Sequence, residues 1–144
     1  MTLKGILCTA VGIIGAWISE AFGGWSAAMT TLIIFMAFDY ISGVIVAGVF
    51  HSSSKSDSGG LKSEVGWQGI CRKCVTLMIV LIACRLDIMM NTQYIKDGVV
   101  VAFCANELIS IIENVGLMGV PMPEIIVKAI DILKRDDDYE NFRD

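Results

Sequence analysis

The chain has 144 residues, 55% of them hydrophobic and only 18% charged, with a mean hydropathy of +0.68. That composition excludes an ordinary soluble domain, and the length leaves room for one compact unit without a second sizeable core. The net charge of −4, with no basic stripe, argues against nucleic acid as a partner.

The first apolar segment is "GILCTAVGIIGAWIS", Gly5 to Ser19, preceded by Lys4. It reaches spanning length only if Glu20 sits among the headgroups, giving a helix over about 5–24. A lysine before a short apolar run is also how a signal peptide begins. Trp17 and Glu20, however, stand where a small-residue cleavage motif is required, so a retained helix is the better reading. Gly5, Cys8, Gly12, Gly15 and Ser19 recur on one side, a face that lets another helix come close.

The second segment, Ser26 to Val49, predicts a helix over about 26–50 whose one charged group is Asp39. Within "FMAFDYISGVIVAGVF", Asp39, Gly43 and Ala47 share a face at i, i+4 spacing. A polar group beside a close-packing surface is what a helix assembly face needs. A charge at mid-bilayer costs roughly 2.5–3.5 kcal/mol on insertion scales, so it must meet protein or water.

Residues 51–72, starting "HSSSKSDSGG", read as a polar connection, flexible in its serine- and glycine-rich first half, with Trp67 at headgroup depth. "CRKC" (Cys71, Cys74) lacks the second pair of a zinc site, and His51 stands alone, so neither metal nor cofactor is expected. Cys8, Cys84 and Cys104 behave as small hydrophobes inside apolar segments.

The third segment, a helix over about 73–90, has Lys73 at its polar flank and is interrupted by Arg85 and Asp87. Arg85 is the one cation within the apolar segments, with Asp39 and Glu107 as its candidate partners. Such a pair either locks helices together or takes a direct part in a pore. Asp87 is expected nearer the outer surface.

The fourth segment, about 98–120, carries a polar stripe. At 100° per residue Asn106, Ser110, Glu113 and Asn114 share one side, with Glu107 at its edge. Val101, Leu108, Ile112 and Val115 make the opposite side aliphatic. The stripe can face partner helices or line water in an oligomer, which makes those four residues candidate pore-lining positions.

After Pro123, Ile126, Ala129, Ile130 and Leu133 form the apolar stripe of a short amphipathic helix. An acidic, solvated tail, Asp136 to Asp144, completes the chain. The organisation is therefore a membrane domain, 1–120, and a cytoplasmic helix with tail, 121–144. Outside the apolar segments, nine Lys and Arg residues fall on one side and only Lys96 on the other. By the positive-inside rule this gives about four transmembrane helices with both termini in the cytoplasm.

Several stretches, in order, carry a family resemblance: "DYISGVIVAG", "SSSK", "GLKSEVGWQGICRKC", "ACRLD" and "NELISIIENVGLMGVPMPE". Together they resemble the phage lysis and toxin-secretion holin family, which includes the holin encoded beside large clostridial toxins. The likeness runs from about Trp25 to Leu133, and the acidic "SDSGG" departs from the shorter basic loop expected there. It implies an all-α protein of the bacterial inner membrane, without catalytic activity, that associates with itself in the lipid bilayer. It further implies permeabilisation, so that an endolysin or a leaderless toxin leaves the cell. Two other classes stay open on the residues alone. "NELISIIEN" has the flavour of a small lipid kinase, though no nucleotide-binding helix accompanies it. A small transporter or scaffolding protein is the other, without the internal repeat that transporters show.

Overall fold

The computed structural model describes residues 2–141, with side chains described for residues 2–132. Among them are five helices and no strand: α1 (Leu3–Ala21), α2 (Ala27–Gly48), α3 (Ser63–Met90), α4 (Tyr94–Leu117) and α5 (Glu124–Asn141). The all-helical class read from the sequence is the class observed. Three helices, α1, α2 and α4, are long and apolar enough to cross a bilayer by length and composition. The 28-residue α3 is longer than any of them but carries Arg72, Lys73, Arg85 and Asp87.

Local chemistry explains most of the boundaries. Thr2 caps α1 by accepting from the Gly5 N–H at 3.4 Å, and Ser26 caps α2 by accepting from Met29 at 3.2 Å. Between them Gly23 and Gly24 adopt φ of 68° and 92°, and the Gly24 N–H returns to the Ser19 carbonyl at 2.8 Å. Gly23 is doubly constrained, because a Cβ there would stand 3.0 Å from the Cys84 sulfur of α3. Asn91, in the left-handed region at φ 54°, ends α3. Asp87 then caps the next helix from outside it. Its carboxylate accepts from the Ile95 and Lys96 N–H groups at 3.2 and 2.7 Å and from the Thr92 hydroxyl at 2.5 Å.

The largest departure from the sequence reading is the start of α3. It begins at Ser63, ten residues before the expected 73, so "SEVGWQGICR" is helix rather than loop. Its first turns lie against Tyr40 of α2 through Gly66 and Gly69. A Cβ at Gly66 would stand 3.5 Å from the Tyr40 hydroxyl and one at Gly69 would stand 3.9 Å from its ring, both ordinary contact distances. The connection that remains folds on itself, with the Ser53 N–H donating to the Gly59 carbonyl at 3.0 Å. Gly59 sits at φ 67°, and a Cβ would collide with the His51 carbonyl oxygen at 2.2 Å.

Helices α2 and α4 run parallel, with α3 antiparallel to both. Helix α4 packs against each of the other two, while α2 and α3 barely touch. Near the α1–α2 turn the three close on Met29, Leu32, Met36, Val80 and Val100, joined by Phe22, Leu77 and Phe103. Helix α1 has no buried residue. Its small face is open at Gly12 and Gly15, where a Cβ would meet nothing within 4 Å. On α5, Ile126 and Ile130 are half-buried and Ile125 is exposed. The predicted stripe residue Leu133 and the acidic run Asp136–Asp144 lie outside the residues whose side chains are described.

Candidate functional site

Where α2, α3 and α4 separate toward the residue 49–62 connection, they enclose a network of charges. Lys73 Nζ donates to Asp39 Oδ2 at 2.7 Å and to Glu107 Oε2 at 2.5 Å, so one cation bridges two carboxylates from different helices. Asp39 and Glu107 are near the middle of α2 and α4, far from any helix end. Both are buried, at 9% and 7% exposure. Two carboxylates against one ammonium leave a formal charge of −1.

Hydrogen bonds from α4 complete the coordination of Asp39. Ser110 Oγ donates to Asp39 Oδ1 at 2.5 Å, and Asn114 Nδ2 donates to Oδ1 and to the Asp39 carbonyl, both at 3.3 Å. Asn114 also donates to Ser42 Oγ at 2.9 Å, and that hydroxyl donates back to the Asp39 carbonyl at 3.0 Å. Every buried side-chain nitrogen and oxygen among the described residues has a partner. Such completeness is what a low-dielectric site demands, since a buried charge missing its partner costs several kcal/mol.

A cavity of about 570 Å³ opens beside the network. It runs from Ser53, Lys55 and Lys62 of the connection inward to Asp39, Lys73 and Glu107. Asn106 and Glu113 are exposed along its wall. All four candidate pore-lining residues border the cavity, Ser110 and Asn114 while bonded to Asp39, and Asn106 and Glu113 on its exposed wall. Gly43 and Ala47 line it as well. A Cβ at Gly43 would stand 3.7 Å from Asn114 Nδ2, so the face with Asp39 serves close approach of α4 within one chain.

The expected partnership of Arg85 with Asp39 or Glu107 does not form. Arg85 is exposed and lies beside Trp17, Glu20, Ala21 and Leu81, near the opposite end of α3. Twelve residues separate it from Lys73, about 18 Å along a helix, and no side chain reaches that far. Lys73 was the residue hidden from the sequence reading, because it borders the charged connection and resembles a headgroup lysine. The signal was present nonetheless. Gly66, Gly69, Lys73 and Thr76 follow helical i, i+3, i+4 spacing, so the face that packs on Tyr40 carries Lys73 inward, one turn deeper.

Fold and site together define an all-helical membrane protein with an ion network held inside its helix bundle. The model of the bacteriophage holin family matches residues 16–135, and the chain belongs to that family. An uncharacterized protein of Halalkalibacterium halodurans is 33% identical over 94% of this chain and 98% of its own length. An uncharacterized protein of Listeria innocua is 35% identical, covering 83% of this chain and 82% of the relative. A probable holin of Bacillus phage phi105 is 29% identical over 78% of each. No solved structure matches. Family membership supports a holin role in phage lysis, implies association with the membrane and suggests a non-enzymatic activity.

Proposed function

We propose that this protein oligomerises in the bacterial inner membrane and permeabilises it, so that an endolysin or a leaderless toxin leaves the cell. The observation that carries the reading is the cavity that descends from the residue 49–62 connection to a buried carboxylate–lysine–carboxylate network, in a chain of the holin family. A charge network alone can lock helices together, but a helix lock does not require a polar path that leads into the bundle. Such a path is half of what a hole requires.

In this reading both termini and the 49–62 connection face the cytoplasm, as the nine-to-one bias of Lys and Arg supports. The protomer described above is the closed state, since Ser110 and Asn114 are bonded to Asp39. To line water in an oligomer they must release it. Asp39 with Gly43 and Ala47 then becomes an assembly face between subunits, with Glu107 and Lys73 free to re-pair across them. Arg85, on the outer half, contributes to assembly through a neighbouring copy.

The test is expression in a bacterium with the membrane potential followed in time. The account expects a sudden, timed loss of potential followed by release of co-expressed endolysin. With native cysteines replaced, Ser110→Cys and Asn114→Cys should react with a polar thiol reagent only after lysis begins, and Ile112→Cys should stay protected. A steady potential with sustained expression would contradict the permeabilising role, and substrate uptake without leakage would favour a transporter.

A further inference from the structure

We infer that the cytoplasmic mouth of the cavity is a binding site for a phosphate group, with Lys55, Lys62 and Arg72 as its cationic ligands. The inference rests on the proposed orientation for which face the mouth meets, but not on permeabilisation.

The three cations line the same cavity as the ion network, yet none of them is bonded within it. Lys73 is fully engaged by Asp39 and Glu107 at the inner end. At the mouth, Lys62 has only a loose contact with the exposed Asp57 at 3.9 Å. The head groups of Lys55 and Arg72 make no hydrogen bond or ion pair among the described residues. The carboxylates of the same cavity are Asp39 and Glu107, both taken by Lys73 at the inner end, and Glu113 on its wall, so the three cations gathered at the mouth are positioned for an anion that arrives from outside.

The neighbouring groups narrow the chemistry. Gln68 and Tyr40 line the same space, and both side chains carry neutral donors. Arginine with lysines and neutral donors suits the tetrahedral oxygens of a phosphate, which arginine holds by paired hydrogen bonds and lysine as a point charge. The separation of α2 from α3 leaves the mouth open between helices at headgroup depth, where Trp67 is 66% exposed. Basic pockets between membrane helices on the cytoplasmic side are suited to anionic headgroups. The shared chemistry is a phosphate oxyanion, carried either by a phospholipid headgroup or by free phosphate in solution.

The experiment uses the full chain in detergent micelles, with bound lipid counted by native mass spectrometry. Phosphatidylglycerol and phosphatidylcholine are offered in parallel, and inorganic phosphate is added as a competitor. We expect retention of phosphatidylglycerol over phosphatidylcholine, weaker by roughly a hundredfold in the Lys55→Gln/Lys62→Gln/Arg72→Gln variant. Lys128→Gln, in a cation paired with Glu124 on α5, should bind like the parent. Displacement by inorganic phosphate supports a site for the free anion, and resistance to it supports a site that also holds the lipid. The single variants Lys62→Gln and Arg72→Gln provide the same reading if the triple variant does not fold. Equal retention of both lipids with no effect of phosphate, or undiminished binding in the variants, overturns the inference. Because no lysis is measured, a failure here leaves the permeabilisation test standing, and the reverse also holds.

Discussion

Beside the α1–α2 turn, α2, α3 and α4 close on Leu32, Val80 and Val100, each at 1% exposure or less. At the other end the same three helices part around a cavity of about 570 Å³. The first region has no charge in its core, and the second is held by a lysine shared between two carboxylates. In a bilayer this difference has consequences that it would not have in water. Lipid solvates apolar side chains as well as protein does, so the dry region is held by close packing alone. Charges have no such alternative. They must keep their partners or meet water, which makes the polar region the more tightly coupled of the two and also the one that water can open.

Breaking the polar region should have the largest effect. Lys73→Met leaves Asp39 and Glu107 buried without a cation, a loss of about 3–5 kcal/mol for one missing partner of a buried pair. We expect a sharply lower unfolding temperature in detergent. Adding Asp39→Asn and Glu107→Gln to Lys73→Met should restore most of it, and no restoration would mean that the charges are not coupled.

Leu32→Ala probes the dry region. In a water-soluble core this truncation costs about 2–5 kcal/mol, but part of that is transfer to water, which lipid does not impose. The loss should fall below that range and below the loss from Lys73→Met. The reverse order of the two unfolding temperatures would contradict the comparison.

Asp39→Leu is the subtler cut. It leaves Lys73 with Glu107 as a neutral pair and removes an insertion cost of roughly 2.5–3.5 kcal/mol. Membrane insertion should be unchanged or improved, measured as the membrane-inserted fraction. The bonds from Ser110 and Asn114 to the carboxylate, worth about 0.6 kcal/mol each in a bilayer, are lost. Because the proposed assembly face also loses its polar group, oligomers should form more slowly and lysis should be delayed even though the closing bonds are gone. Wild-type timing would show the aspartate to be tolerated rather than used. Smallest of all, Arg85→Gln should change the stability of the protomer by no more than about 0.5 kcal/mol, since Arg85 is exposed and makes no ion pair among the described residues.

The sequence made the apolar helices legible, along with the odd placement of Asp39 and the stripe on α4, because composition and helical periodicity depend only on neighbours along the chain. It did not disclose which cation meets Asp39. Hydropathy assigns Lys73 to the charged connection and Arg85 to the apolar run, and that ranking named the wrong partner. The deciding fact is tertiary. Gly66 and Gly69 lie against Tyr40 of α2, and the same face of α3 carries Lys73 inward. The role of Asp87 was hidden for the same reason, since its partners at Ile95 and Lys96 lie across a turn on the next helix.

The contrast between the two regions can be read most directly by thiol labelling of resting membranes. With native cysteines replaced, Asn106→Cys in the cavity wall and Val100→Cys in the dry region are exposed to a membrane-impermeant reagent, in inverted and in right-side-out vesicles. The account predicts that Asn106→Cys reacts in inverted vesicles only, and Val100→Cys in neither. Reaction of Asn106→Cys from the outer face, or equal protection of both positions, would contradict a water-accessible path that descends from the cytoplasm to the buried charges.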